Sequence, residues 1–328
     1  MAFRMIFMGS DPIALPGLEA VVSGRCGEIE LVAVYTQPDR PRGRGKKVVP
    51  NEIKTWALER DLPVYQPEKM GKAERLEIEA MAVDSILVMA YGHILSQKLI
   101  DTPRLGIWNL HTSLLPKYRG ASPIQCAVAS GDQETGVSLM KLVREMDAGP
   151  VLDVEKVGIG ESDTALDVES RLADACAPLL VRGLPIAHGG EPELQEQDPA
   201  GVSFVRKLGK GDGELDFRAP AKVLARRING LFPWPSTRAN WGEVSIKIGL
   251  AGYQNERAEA DPGTVLGLED EGLKVACGDG VVFLKKLQRP GGKMLTAAEF
   301  LRGYDLPVGS VFESREMTEL VTAEHVKG

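Results

Sequence analysis

The apolar run Met5-Ile-Phe-Met8, the turn Gly9-Ser-Asp-Pro12, the helical stretch Leu15–Val22 and the β-branched run Leu31-Val-Ala-Val-Tyr35 decide the fold of the first half of the chain. Two short apolar runs separated by a helix need a crossover connection, which lays the strands parallel and right-handed. The same alternation continues outward. Asn51 is placed to cap a helix through Leu58, Ala73–Met81 is helix-like, Ile86–Ala90 is a third strand and Gly106–His111 a fourth. Residues 1–188 are therefore expected to form a doubly wound α/β domain, whose ligands bind beyond the carboxyl ends of the strands.

Gly9 is followed by Ser-Asp-Pro-Ile-Ala, which fits neither the dinucleotide fingerprint nor the phosphate loop of nucleotide hydrolases. No nicotinamide cofactor is expected. Residues 189–206, from Gly189-Gly190-Glu-Pro through Asp198-Pro-Ala-Gly201, have the composition of a linker. Beyond it, Pro220–Ile228 reads as a helix, followed by short runs at Val244–Ile248, Gly263–Gly267, Leu273–Ala276 and Val281–Leu287. Short strands at close spacing point to a small β-barrel or an open sandwich in a second domain over 207–328, with an OB-like barrel the preferred reading.

The composition is that of a globular protein: 328 residues, 43% hydrophobic and 26% charged, with a net charge of −7. From Arg206 onward there are 18 basic and 17 acidic residues, so the acidic excess sits in the first part. Four scattered cysteines without a C-x-x-C pair predict neither disulfides nor a metal site. With no signal-peptide pattern and no apolar stretch of membrane-spanning length, a cytoplasmic location is expected.

The densest chemistry lies in Trp108-Asn-Leu-His-Thr-Ser-Leu-Leu-Pro116, at the end of a predicted strand. Alternation puts Asn109 and His111 on one face. An uncharged amide donor beside an imidazole suits stabilisation of an oxyanion in acyl transfer. The same pattern is compatible with Asn109 bonding its own loop and His111 being a satisfied, half-buried ring. Asp147, in Glu145-Met-Asp-Ala-Gly-Pro150, could approach His111 as a charge partner; the pattern by itself is more that of a plain loop or capping aspartate, and Glu145 is close enough that spacing does not separate the two. Backbone around Gly92, in Val88-Met-Ala-Tyr-Gly-His93, could hold a flat heterocycle, or this could be a packed strand end. Arg40, Arg42, Arg44, Lys46 and Lys47 place five basic residues in eight positions, among Pro and Gly that prevent a helix. Such a loop suits phosphate contact. His188, in the linker region, and His325, near the terminus, are expected at the surface.

These segments together resemble the formyltransferases that use 10-formyltetrahydrofolate. Asn109-x-His111-x-Ser113-Leu-Leu-Pro116 matches the family signature, and Asp147 in Met-Asp-Ala-Gly sits at the family's catalytic aspartate. The resemblance implies a Rossmann-like catalytic domain and neither metal nor nicotinamide. Asn109, His111 and Asp147 are then catalytic, while Ser113, Leu114, Leu115, Pro116, Tyr91 and Gly92 line the folate pocket.

Within the family the likeness is greatest to members that formylate methionyl-tRNA. Thr36–Pro41 and Gly43–Lys47 resemble a basic loop that enters the tRNA acceptor end. Gly213–Asp216, Asn229–Pro235 and Pro262–Val265 resemble the barrel domain that contacts tRNA. Two departures are Arg42, where a small residue is expected, and Pro150, where many members have Asp. The implied reaction moves a formyl group from 10-formyltetrahydrofolate to the α-amine of methionyl initiator tRNA. The implied tRNA contacts are Arg40, Arg42, Arg44, Lys46, Lys47, Lys207 and Lys210, and a monomer is expected. Formylation of an amino-sugar nucleotide, or tRNA binding without catalysis, are the alternatives. Neither requires the triad together with the 40–47 loop and a barrel.

Overall fold

The computed structural model describes residues 2–42 and 47–324. The chain divides into two compact units: residues 1–119, 136–157 and 170–202 form one, and 120–135, 158–169 and 203–328 the other. Two segments from the first half of the sequence thus belong with the second unit.

The strands of the first unit, in chain order, are β1 (Phe3–Gly9), β2 (Ile29–Tyr35), β3 (Val64–Tyr65), β4 (Ser85–Met89), β5 (Ile107–His111), β6 (Glu134–Lys141) and β7 (Val151–Gly158). Helices through this part of the chain are α1 (Leu15–Val22), α2 (Glu52–Leu58), α3 (Lys72–Ala80), α4 (Gln97–Ile100), α5 (Pro123–Ser130) and α6 (Ala165–His188). The sheet order is β7-β6-β5-β4-β1-β2-β3. From β3 to β5 the strands are parallel, as the alternation predicted. At β5 the direction reverses, because β6 pairs antiparallel with it.

The central strand β1 is buried on both faces from Met5 to Met8, which is why it reads as an unbroken apolar run. Register aligns the carboxyl ends along one edge: Met8 lies beside Tyr35 and Val88, and Val88 beside Asn109. At this edge Asn51 caps α2, accepting from Lys54 N at 2.9 Å, and donates to Thr36 Oγ1 at 2.9 Å. Gln37 donates to the Tyr91 carbonyl at 2.9 Å. These bonds anchor the stem of the basic loop, where Arg40–Arg42 pairs antiparallel with Lys47–Val49.

His188 departs from the expectation of a surface residue. It closes α6 at only 5% exposure, and its Nε2 lies 2.9 Å from the buried Ser85 Oγ. Linker-like composition begins at Gly189, but α6 carries its apolar face to its last residue. His325 lies outside the described residues.

The second unit contains α5, α7 (Ala221–Gly230), α8 (Ala297–Gly303) and an antiparallel sheet of β8 (Thr237–Trp241), β9 (Val244–Gln254), β10 (Val265–Glu269), β11 (Gly272–Ala276) and β12 (Val281–Gln288). Its order is β8-β9-β12-β11-β10; β8 and β10 are not paired to one another among the described residues. The core is apolar, with Phe217 stacked on Phe312 at 5.7 Å and Ile246, Ile248 and Leu284 fully buried. Gly230 lets α7 approach α5, since a Cβ there would fall 2.6 Å from Ala129 N. Asn229 pairs with both backbone groups of Ala251, at 3.1 and 2.9 Å, where the β9 register shifts. The side chain is thereby committed to holding the sheet. No helix among the described residues is long and apolar enough to cross a membrane.

Candidate active site

Strand β5 brings Asn109 and His111 to the carboxyl edge on one face, 9% and 6% exposed. The Asn109 carboxamide has no hydrogen-bond partner within the protein among the described residues, and it is not sealed from solvent. An amide of this kind, nearly buried yet uncommitted, is unusual, because polar groups in such positions ordinarily find protein partners.

His111 is held from both sides. Its Nε2 lies 2.9 Å from the Tyr118 carbonyl. A carbonyl can only accept, so Nε2 carries the hydrogen. Nδ1 faces Asp147 Oδ2 at 3.7 Å, an ion-pair distance too long for a hydrogen bond. An oxygen therefore faces each of the two ring nitrogens.

Asp147 comes from the connection between β6 and β7, which folds back toward the end of β5. It adopts φ +48, and Tyr118 adopts φ +60, both left-handed positions that disfavour residues with a Cβ. Gly149 makes the fold-back possible: a Cβ there would lie 1.8 Å from the Lys141 carbonyl. Of the two acidic candidates, Asp147 meets the imidazole, whereas Glu145 is exposed and lines a cavity near the start of β5 with Arg104 and Lys141.

The bend after β5 is built by its own side chains. Ser113 is fully buried and donates to the Lys117 carbonyl at 2.6 Å, and Ser138 donates to the Ser113 carbonyl at 2.7 Å. Ser138 Oγ also accepts from Leu115 N at 3.2 Å. The Ser113 hydroxyl thus shapes the loop, while Leu114, Leu115 and Pro116 remain half-exposed.

The Tyr91 ring is not available at the edge, since it packs into the core at 2% exposure with its hydroxyl on Met70 Sδ at 3.2 Å. Burial pushes that phenol well above its ordinary pKa. Tyr91 lies two residues past β4, between Ala90 (φ +49) and Gly92 (φ +79), so strand alternation does not set the direction of its ring. Gly92 is exposed with φ +79, and Ile94 after it is 96% exposed.

Arg40 is exposed and pairs with Glu68 at 2.6 Å, and Lys47, Lys207 and Lys210 are also exposed. Arg44 and Lys46 lie outside the described residues, as does the side chain of Arg42.

Sequence reasoning missed Arg119 and Gln197. Arg119 donates to Gln197 Oε1 through Nε (3.0 Å) and Nη2 (2.8 Å). Gln197 Nε2 donates to the carbonyls of Asp147 (2.8 Å) and Gly149 (2.7 Å). Burial lowers the Arg119 pKa, opposed by the negative charge of Asp147. A glutamine in a Glu- and Pro-rich stretch carries no local signal of such a role.

Residues 5–184 match the family described as formyl transferase, and residues 207–305 match the formyl transferase C-terminal domain. The methionyl-tRNA formyltransferase of Xanthomonas axonopodis pv. citri (strain 306) is 41% identical over 93% of this chain and 99% of its own. That of Xylella fastidiosa (strain 9a5c) is 42% identical over 91% of this chain and 96% of its own.

Among solved structures, the N-formyltransferase from Helicobacter canadensis, with folinic acid and dTDP-3-aminofucose, gives a TM-score of 0.64 at 17% identity, covering 88% of this chain and 100% of that one. HypX from Aquifex aeolicus with tetrahydrofolic acid gives 0.58 at 16% identity over 96% of this chain. There the chain spans 51% of the HypX length. These two likenesses establish the fold alone. The match to both family regions, with relatives at 41 and 42% identity along nearly their whole length, makes this chain a member of the formyl transferase family.

Proposed function

We propose that the protein transfers the formyl group of 10-formyltetrahydrofolate to the α-amine of methionyl initiator tRNA. The observation that carries the chemistry is the uncommitted Asn109 carboxamide beside the His111–Asp147 pair at the sheet edge. The acceptor is supported by full-length relatives named methionyl-tRNA formyltransferase.

The α-nitrogen bonds to the formyl carbon, the carbon–N10 bond breaks, one proton leaves the α-nitrogen and one reaches N10. Asn109 Nδ2 donates to the formyl oxygen as it becomes an oxyanion. A preorganised donor of this kind contributes ~10²–10³ in rate. His111 supplies positive charge beside that oxygen. Its Nε2 already serves Tyr118, so the ring acts through its charge and through Nδ1 rather than by pointing Nε2 at the substrate. Asp147 balances the imidazolium, and water relays the protons.

The half-exposed Leu114–Pro116 bend, Gly92 and exposed Ile94 offer apolar surface and open backbone that fit a flat pterin. Residues 1–188 are assigned to catalysis, 189–206 to a linker and 207–328 to tRNA binding. Arg40, Arg42, Arg44, Lys46, Lys47, Lys207 and Lys210 contact tRNA phosphates, and the protein works as a cytoplasmic monomer. Formyl transfer to charged initiator tRNA, assayed alongside an amino-sugar nucleotide, tests the reading. Preference for the sugar would reject it. Light scattering with and without tRNA tests the monomer.

A further inference from the structure

We infer that Gln197 and Arg119 are positioning residues for the His111–Asp147 pair; the inference rests on the function proposed above. Four contacts close a ring. His111 Nε2 bonds the Tyr118 carbonyl at 2.9 Å. The next residue, Arg119, grips Gln197 Oε1 with two N–H groups. Gln197 Nε2 spends both hydrogens on the carbonyls of Asp147 and Gly149. The Asp147 carboxylate then returns to His111 Nδ1 at 3.7 Å.

The ring ties together two backbone positions that would otherwise relax. Tyr118 and Asp147 both hold positive φ without being glycine, conformations that persist only where surroundings over-determine them. Gln197 supplies that constraint for the Asp147 loop, and Arg119 fixes Gln197 in the one amide orientation that donates to two carbonyls. A side chain 50 residues away in sequence thereby sets where the carboxylate stands relative to the imidazole. Gln197 touches neither reacting group, so it acts through Asp147.

The test uses the full-length protein and compares wild type, Gln197→Ala, Asp147→Asn and the double variant in formyl transfer, with thermal midpoints measured for each. Displacements of about 1 Å at a reacting group cost up to ~10² in rate. The expected result is a 10- to 100-fold fall in kcat for Gln197→Ala, with both KM values within about twofold of wild type. In the Asp147→Asn background the same change costs less than about twofold, because a positioning residue has nothing left to position. Arg119→Lys, which keeps the charge but loses the two-pronged grip, falls in the same direction by a smaller factor.

Near-native kcat in Gln197→Ala overturns the inference, as does a loss that multiplies undiminished in the Asp147→Asn background. Nitrogen-15 imidazole signals of His111, one of four histidines, give a readout independent of turnover. They shift in Gln197→Ala if the ring exists, and unchanged signals overturn it. A wild type inactive on charged tRNA would sink the functional proposal, while the imidazole signals would still decide the ring.

Discussion

His111 Nδ1 stands 3.7 Å from Asp147 Oδ2, while the opposite nitrogen of the same ring is bonded to the Tyr118 carbonyl. The imidazole is therefore oriented by the chain on one side and faces a carboxylate on the other. Replacing Asp147 with Asn removes that charge without changing shape. We expect kcat to fall by ~10²–10⁴, the range general acid–base groups contribute, with a thermal midpoint close to wild type. A kcat within fivefold of wild type in a steady-state assay would show that the carboxylate plays no part.

Gly149→Ala tests the loop geometry without touching any polar group. The added methyl would meet the Lys141 carbonyl at 1.8 Å, so the backbone of residues 147–150 has to move. Overpacking of this kind costs about 1–3 kcal/mol of stability. The displaced Asp147 should also lower kcat well beyond what the stability loss explains. Denaturant titration alongside turnover separates the two effects.

In the second unit, Asp212 is 3% exposed, accepts from Arg206 Nη1 at 2.8 Å, from Gly209 N at 2.7 Å and from Thr318 Oγ1 at 2.6 Å. These donors, Arg206 foremost, hold its carboxyl far below the usual carboxylate range. Its stabilisation is thus present at neutral pH and is lost as pH falls below about 4 toward that lowered value. Asp212→Asn should cost roughly 1.5–3 kcal/mol at pH 7, and the deficit should shrink in strong acid. A pH-independent deficit in urea titrations would contradict this.

His188 has the opposite dependence on its charged form. Burial lowers its pKa, so the folded state keeps the ring neutral against Ser85. Between that lowered value and about 6.5 the unfolded chain binds a proton that the folded chain does not, and stability declines as pH drops through this window. His188→Gln should flatten the decline between pH 7 and pH 5, measured by thermal unfolding. An unchanged slope would assign the dependence elsewhere.

Lys47 sits exposed at the stem of the basic loop. Lys47→Ala should raise KM for tRNA but not for the folate. It should also reduce the slope of log affinity against log salt by about one. Equal changes in both KM values would argue against a phosphate contact.

The parts of this architecture that were legible in the sequence are those with a local signature. Four parallel strands showed as apolar runs because they are buried on both faces, and α2 was marked by its Asn51 cap. Asn109 and His111 were visible because strand alternation pairs positions two apart. By contrast, β7 is mostly half-buried with Asp153, Glu155 and Lys156 among its residues, so no clean pattern marked it. The 24-residue α6 contains Pro178 and Pro185, which interrupt the usual helix signal. Arg119 and Gln197 meet across 78 residues, and their meeting is a property of the fold rather than of any motif.

The central claim is that Asn109 is an oxyanion donor within a formyl-transferring site. The most direct test is the single-turnover rate of formyl transfer from 10-formyltetrahydrofolate to methionyl initiator tRNA by wild type and Asn109→Ala. Wild type should transfer rapidly, with a rate ~10²–10³ lower in the variant and equal thermal midpoints, since the side chain bonds nothing in the protein among the described residues. A natively folded Asn109→Ala that transfers the formyl group at close to the wild-type rate would contradict it.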